Sequence, residues 1–397
     1  WTPIEGFDGF TFDGGNFEIK GLNDPLFGST TGSHIKNVKL VNVDLCSNNR
    51  DVFGAIACKM ISVVETPVTL TNCSASGNML VSNPDYELES SYSTANFFRY
   101  GGLLGDAGGV AISDCTNYVN VTVKQLNKAG ATCSITLTPE VGGVVAHASF
   151  ATIDTDVYAK SSVKNCNNYG TIKYEDIDTT PIYRPSIAGV VGYGTESAEV
   201  AVDNCVNEGP VSINATTAGS TGSSGALCIA GVMGRSTKGS VKNSYNKAPI
   251  TADGTLKSIS IGGAVGYVYN VEVENVHNTG AVLVKESARI NGIFAGGVGA
   301  ILYNGTGGTG YSKGCTNDAP VTVLASTMEN YSSGKYFYRI GGITGFGRNA
   351  LSNCVNKENG DVYTSGNIVN VTTDGTELAL QIAGIVGYKT VAGITNC

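Results

Sequence analysis

Short stretches rich in β-branched residues, with apolar and polar positions alternating, recur along almost the whole chain. In residues 202–207, for example, Val202, Asn204 and Val206 are set against Asp203, Cys205 and Asn207. A period of two predicts strands, and no stretch shows the 3.6 period of a helix. Each stretch follows a glycine-centred apolar block. The blocks include YGGLLGD (100–106), VGGVVAH (141–147), IAGVVGY (187–193), IAGVMGR (229–235), IGGAVGY (261–267), IGGITGF (340–346) and IAGIVGY (382–388). The strand stretches that answer them read VKNCNNYGTI (163–172), VDNCVNEGPV (202–211), VKNSYNKAPI (241–250) and VENVHNTGAV (273–282).

Nine such copies at a period of about 40 residues indicate stacking of one supersecondary unit rather than a single globular core. The shortest interval, Gly231 to Gly263, is 32 residues, which suffices for three short strands and their turns. The prediction is therefore all-β, with one repeat per coil of a parallel β-helix and a rod of about 50 Å. A β-propeller is the alternative, because the same period suits four-stranded blades. Residues 1–45 differ from the repeats and hold the only tryptophan, Trp1. They are expected to form an N-terminal cap and first coil, covering an open edge. Residues 46–397 are expected to be one continuous solenoid.

Three recurring positions carry structural readings. Seven cysteines (Cys73, Cys115, Cys166, Cys205, Cys315, Cys354 and Cys397) share one column, in which Ser244 and Val276 also stand. A disulfide partner or metal ligand would not tolerate those replacements, so a buried stack of reduced thiols is expected. The residue before that column is Asn, Asp or Gly, the types that best adopt left-handed backbone, which predicts a corner in every coil. The paired glycines predict a bend or a close approach of neighbouring backbone. A phosphate loop is excluded because no GK[ST] follows.

Composition narrows the class. Glycine makes up 53 of 397 residues, nearly twice the average of about 7%, and charged residues are 15% against about 25%. A net charge of −8 without basic stripes argues against nucleic acid. No apolar run reaches the roughly 18 residues of a membrane helix, which predicts no membrane insertion by this segment. The chain starts at Trp1 and stops inside a further copy of its motif. A longer native protein is therefore expected, and its own further repeats are candidate partners.

The FDG, LFG (26–28) and IKNVKLVNVD (35–44) runs, together with the GGxVG and NCxNxG units, resemble GLUG-motif β-helical surface proteins of anaerobic bacteria. The resemblance spans essentially the full chain and implies a β-helix at the cell surface or outside the cell, with adhesin-like roles. Peptidase domains accompany the motif in some larger proteins.

Candidate chemistry is expected on the insertions between repeats, since the repeated positions are committed to packing. FFRY (97–100), IYRP (182–185) and YFYR (336–339) place aromatic rings beside guanidinium groups. Tyr183, Arg184, Tyr336, Tyr338 and Arg339 are thus candidates for stacking on sugars and holding acidic groups. Ordinary cross-strand packing is the plainer reading. Glu175, Asp176 and Asp178 form the densest acidic loop; paired carboxylates suit glycosidic hydrolysis or calcium, but the spacing fits neither template. His34, His147 and His277 form no local catalytic constellation, and no cofactor or metal site is indicated. The expected function is adhesion to glycans or host proteins through variable loops, in an extracellular or bacterial cell-surface setting. The alternatives are a β-helical polysaccharide lyase or glycoside hydrolase, and a structural spacer.

Overall fold

The computed structural model describes residues 1–47, 51–82, 96–124, 137–154, 157–176, 185–195, 199–216, 227–326, 337–364, 379–390 and 393–397. Among these residues there is no helix. The chain winds as a parallel β-helix whose coils feed three sheets, one of 24 strands and two of 11. One coil is made of Leu227–Ala230, Met233–Ser236, Gly239–Lys242, Tyr245–Asn246 and the start of Ile250–Gly262. Ala230 pairs with Gly262 of the next coil, 32 residues on, so one repeat is one coil. Among the described residues the pairing is parallel except where Val145–Asp154 meets Val157–Lys160 in an antiparallel hairpin. Propeller blades would need antiparallel neighbours within each repeat, so that alternative is excluded.

Inward positions stack in columns along the axis. Val202 pairs with Val241, and Val241 with Val273; all three are fully buried. A buried valine contributes about 1.5–3 kcal/mol over an exposed one, and each coil repeats the contribution. At the first end, Phe7 packs on Phe12 and Phe27 with ring centroids 6.2 and 5.2 Å apart.

The residue before the cysteine column is left-handed in every described copy. Asn72, Asn165, Asn204, Asn243, Asn275, Asn353 and Asn396 have φ between 48 and 54°; Asp114 has 55° and Gly314 64°. This corner corrects the simple alternation expected from the sequence. A left-handed residue reverses the phase of the side chains, so Val206 turns outward while Cys205 and Asn207 are both fully buried. The exposed asparagines of the corner are also linked along the axis, as Asn204 Nδ2 donates to Asn165 Oδ1 at 2.9 Å.

The cysteine column packs inside as small side chains. Cys115, Cys166, Cys205, Cys315 and Cys354 are fully buried, as are Ser244 and Val276 in the same column. Burial pushes the Cys115 thiol well above its ordinary range. Each sulfur donates to the carbonyl two residues back, as Cys166 does to Lys164 at 3.2 Å. In the folded protein, alkylation by iodoacetamide is expected to label exposed Cys397 and to spare Cys115, Cys166, Cys205 and Cys315 until denaturant is added. Peptide mapping of the labelled chain checks this, and labelling of Cys205 under native conditions would contradict the packed column.

A second, inner asparagine ladder lies two residues beyond the cysteines. Asn117, Asn168, Asn207, Asn246, Asn278, Asn317 and Asn356 are joined by amide-to-amide bonds of 2.7–2.8 Å across six successive coil interfaces. Within that ladder Asn246 Nδ2 also donates to Ala248 O at 2.8 Å, so both its hydrogens are used. The second glycine of each pair, or the glycine that follows alanine in the first two IAG blocks, faces this ladder. A Cβ on Gly231 would meet first Asn246 Oδ1, Cγ and Cβ, and one on Gly263 would meet the Gly297 carbonyl and Asn278. The two halves of the repeat motif are therefore one packing unit: a buried amide against a position with no side chain.

Candidate functional site

The strands on either side of the paired glycines create a feature that the sequence pattern does not announce. In each, alternate residues point away from the main core, yet many of those residues are buried. They are buried because the corner is re-entrant and the two outward columns pack on each other, as Arg99 does on Asp106 and Arg339 on Phe346, leaving a groove largely filled by side chains along the solenoid axis.

One column follows the glycines. It runs Lys59, Asp106, His147, Tyr193, Arg235, Tyr267, Ile301, Phe346 and Tyr388, each residue in register with the next. The other precedes them and runs Arg99, Glu140, Ser186, Cys228, Ser260, Phe294, Arg339 and Gln381. A small apolar cluster of Cys228, Tyr267, Phe294, Ala300, Ile301 and Phe346 fills the middle, separate from the main core. Burial raises the Tyr267 phenol to about 12, so it remains a neutral hydroxyl at any ordinary pH.

The two ends of the groove differ in chemistry. At the N-terminal end Arg99 Nη1 donates to Asp106 Oδ2 at 2.8 Å, and Arg99 Nε to Glu140 Oε2 at 3.1 Å. His147 Nδ1 lies 2.8 Å from the same Glu140 oxygen, and Lys59 Nζ lies 3.8 Å from Asp106. Asp106, Glu140 and His147 are only 4, 3 and 4% exposed. The approach of His147 to Glu140 is too oblique for a hydrogen bond, and neither ring nitrogen has another partner among the described residues. Its ring instead meets Tyr193 edge to face, with centroids 5.5 Å apart. This end neutralises its own charges, and breaking such a buried pair costs about 3–5 kcal/mol.

At the C-terminal end the guanidinium of Arg339 is surrounded by rings. Its Cζ lies 4.0 Å from the centroid of Tyr388, 4.6 Å from Phe337, 4.9 Å from Phe346 and 5.6 Å from Phe294. Nε donates to Gln381 Oε1 at 3.1 Å, and among the described residues no carboxylate pairs with Arg339. Beside it, Tyr269, Tyr303, Phe346 and Tyr388 stack with centroid spacings of 5.2, 6.0 and 5.8 Å and interplanar angles of 18, 21 and 12°. The ring faces are thus largely used on one another and on Arg339. Tyr269, Tyr303, Tyr388 and Arg339 are each partly exposed, whereas Phe346 is buried, and the Tyr303 hydroxyl accepts from Arg348 Nη1.

The sequence-derived candidates distribute unevenly. Arg339 lines the groove. Tyr338, one residue earlier, points the other way: it is fully buried in the main core, and its hydroxyl donates to Ile290 O at 2.7 Å. Arg99 shares the outward column with Arg339; Arg184 stands two positions before the equivalent Ser186. Tyr183, Arg184, Tyr336 and Asp178 lie outside the described residues. Glu175 lies on Ile172–Asp176, a different strand of the coil from the groove, and pairs with Lys173 at 2.6 Å. Asp176 follows it on that strand.

The aromatic ladder and the polar cluster were missed as sites, although a signal was present. The position at the end of the glycine block varies among Lys, Asp, His, Tyr, Arg, Ile and Phe while the residues before it stay mostly small or apolar. A variable, large residue at a fixed place in a repeat marks an outward column. Compared with known proteins, the chain matches no family model, no curated protein and no solved structure.

Proposed function

We propose that the protein is a non-enzymatic β-solenoid of the bacterial surface or exterior that binds glycans along its lateral groove. One observation carries the reading: partly exposed Tyr269, Tyr303 and Tyr388 stack with buried Phe346 along the solenoid axis, one ring per coil, beside the Arg339 guanidinium. A periodic, polar-edged groove suits an extended polymer better than a compact small molecule. The GLUG-like motifs and the glycine-rich, low-charge composition support the extracellular setting.

The enzymatic alternative would need solvent-accessible acid and base groups. The groove carboxylates Asp106 and Glu140 are buried and already hydrogen-bonded by Arg99, an arrangement that supports binding over hydrolysis. The test is incubation of the chain with a panel of neutral and acidic polysaccharides, following retention on the immobilised protein and polymer length by size-exclusion chromatography. Retention of intact polymer is expected. Shortening of any polymer would overturn the non-enzymatic reading, and absence of retention would overturn the glycan-binding one.

A further inference from the structure

Most cations of the described surface have nearby counter-charges. Lys242 sits 2.7 Å from Glu272, Lys247 3.0 Å from Glu208 and Lys238 2.6 Å from Glu199. Arg99, in the same groove column as Arg339, is held by two carboxylates. Arg339 is the contrast. It is half-buried among four rings and spends only Nε on a neutral amide, and neither of its terminal nitrogens has a partner among the described residues. Burial lowers its pKa, the sign of a cation held without compensating charge.

We infer that Arg339 is a carboxylate-binding subsite and that the polymer in the groove is an acidic glycan whose repeating sugar is a uronic acid. The inference rests on the glycan-binding reading and adds the ligand's charge class. A guanidinium with both terminal nitrogens unused presents a planar fork that matches a carboxylate in two parallel hydrogen bonds. The surrounding rings hold that fork in one orientation and exclude water from its faces, which strengthens the pairing. The neighbouring aromatic ladder supplies the argument for a sugar polymer. Its centroid spacings of 5.2–6.0 Å are on the scale of one pyranose ring. A chain laid along the axis therefore meets the partly exposed Tyr269, Tyr303 and Tyr388, with buried Phe346 between the last two, and places the uronate carboxylate on the fork. An acidic peptide would satisfy the fork but would find no use for that periodic row.

Polygalacturonate and its fully methyl-esterified form share a backbone and differ in the carboxylate, so they separate charge from shape. Isothermal titration of the full chain is expected to give tighter binding of polygalacturonate by roughly tenfold to a hundredfold, the range for a charge-assisted bidentate contact. Arg339→Gln is expected to remove that preference while leaving affinity for the esterified polymer within about twofold. Arg339→Lys, which keeps the charge but not the fork, is expected to restore only part of it. Equal affinity of the wild type for both polymers, or an unchanged preference in Arg339→Gln, would overturn the uronate subsite while leaving glycan binding standing. No binding of either polymer, nor of neutral glucans, would overturn both. Poly-glutamate bound in preference to polygalacturonate, through Arg339, would reassign the fork to an acidic protein. Because the wild-type comparison of two polymers needs no variant, a fold defect in Arg339→Gln does not blunt the test; circular dichroism of the variant is the control.

Discussion

Asn246→Ala is expected to destabilise the protein by about 3–5 kcal/mol, among the largest effects of any single substitution. The substitution takes a bond of 2.8 Å from each of the fully buried Asn207 Nδ2 and Asn278 Oδ1, leaving the latter only the longer 3.3 Å bond from Gly280 N, and it frees the Ala248 carbonyl. Each buried group left without a partner costs about 1–3 kcal/mol, and the lost side-chain volume adds a small cavity term. Asn246→Asp is expected to be no better, because a carboxylate only accepts and would bring an unpaired charge inside. The urea midpoint, with the slope checked for a change in cooperativity, measures it. A repeat array need not unfold in one step, so hydrogen exchange in the strands beside residue 246 is the companion readout. A loss below about 1 kcal/mol would mean that the ladder contributes geometry rather than stability.

Gly231→Ala is expected to cost at least as much, about 3 kcal/mol or more, although the change adds a single methyl group. Its Cβ would overlap three atoms of the Asn246 side chain, which is fixed by hydrogen bonds on both sides and has nowhere to move. Overpacking in a tight core costs about 1–3 kcal/mol, and here it also displaces a buried amide from its bonds. The two predictions are linked by a double-mutant cycle. In the Asn246→Ala background Oδ1 and Cγ are gone and only the Cβ at position 246, 2.6 Å from the new methyl, remains in the way, so Gly231→Ala should cost less than in the wild type by about 1–2 kcal/mol. Additive effects would refute the claim that the glycine block and the asparagine motif recur together because each completes the other's packing.

That coupling also shows why part of the architecture was legible in the sequence. A β-helix repeats its local problem in every coil: a corner must be left-handed, a thiol-sized side chain must fill the same space, and two glycines must pass a neighbouring chain. Such demands act at fixed spacing within one repeat. They therefore surface as columns of Asn, Cys and Gly that can be read without coordinates, and they imply parallel stacking at one repeat per coil. The identity of Asn204 already specifies its corner, because few other residues adopt φ near 51° at low cost.

What the corner does to its neighbours was less visible. The reversal of phase at Asn204 places Asn207 inside and Val206 outside, against the polarity each residue would suggest alone. A buried amide is stable there only because identical amides above and below satisfy it, a condition set by register between coils rather than by local pattern.

The same division holds for the groove. Sequence determined that Arg339 follows an aromatic run, and that Tyr338 and Arg339 must point to opposite sides of a strand. It could not say which side was the core, nor that the outside of this strand meets the outside of the next. The tertiary fold decided that Tyr338 is a core residue, that Arg99 is tied to Asp106 and Glu140, and that Arg339 sits among Phe294, Phe337, Phe346 and Tyr388. These residues come from strands in three successive coils and from both sides of a glycine corner. Their meeting depends on the concavity of that corner and on coil register, both of which are set by backbone packing summed over the whole stack. Local alternation fixes what each strand offers to its two faces; only the closed coil decides which of those faces is covered.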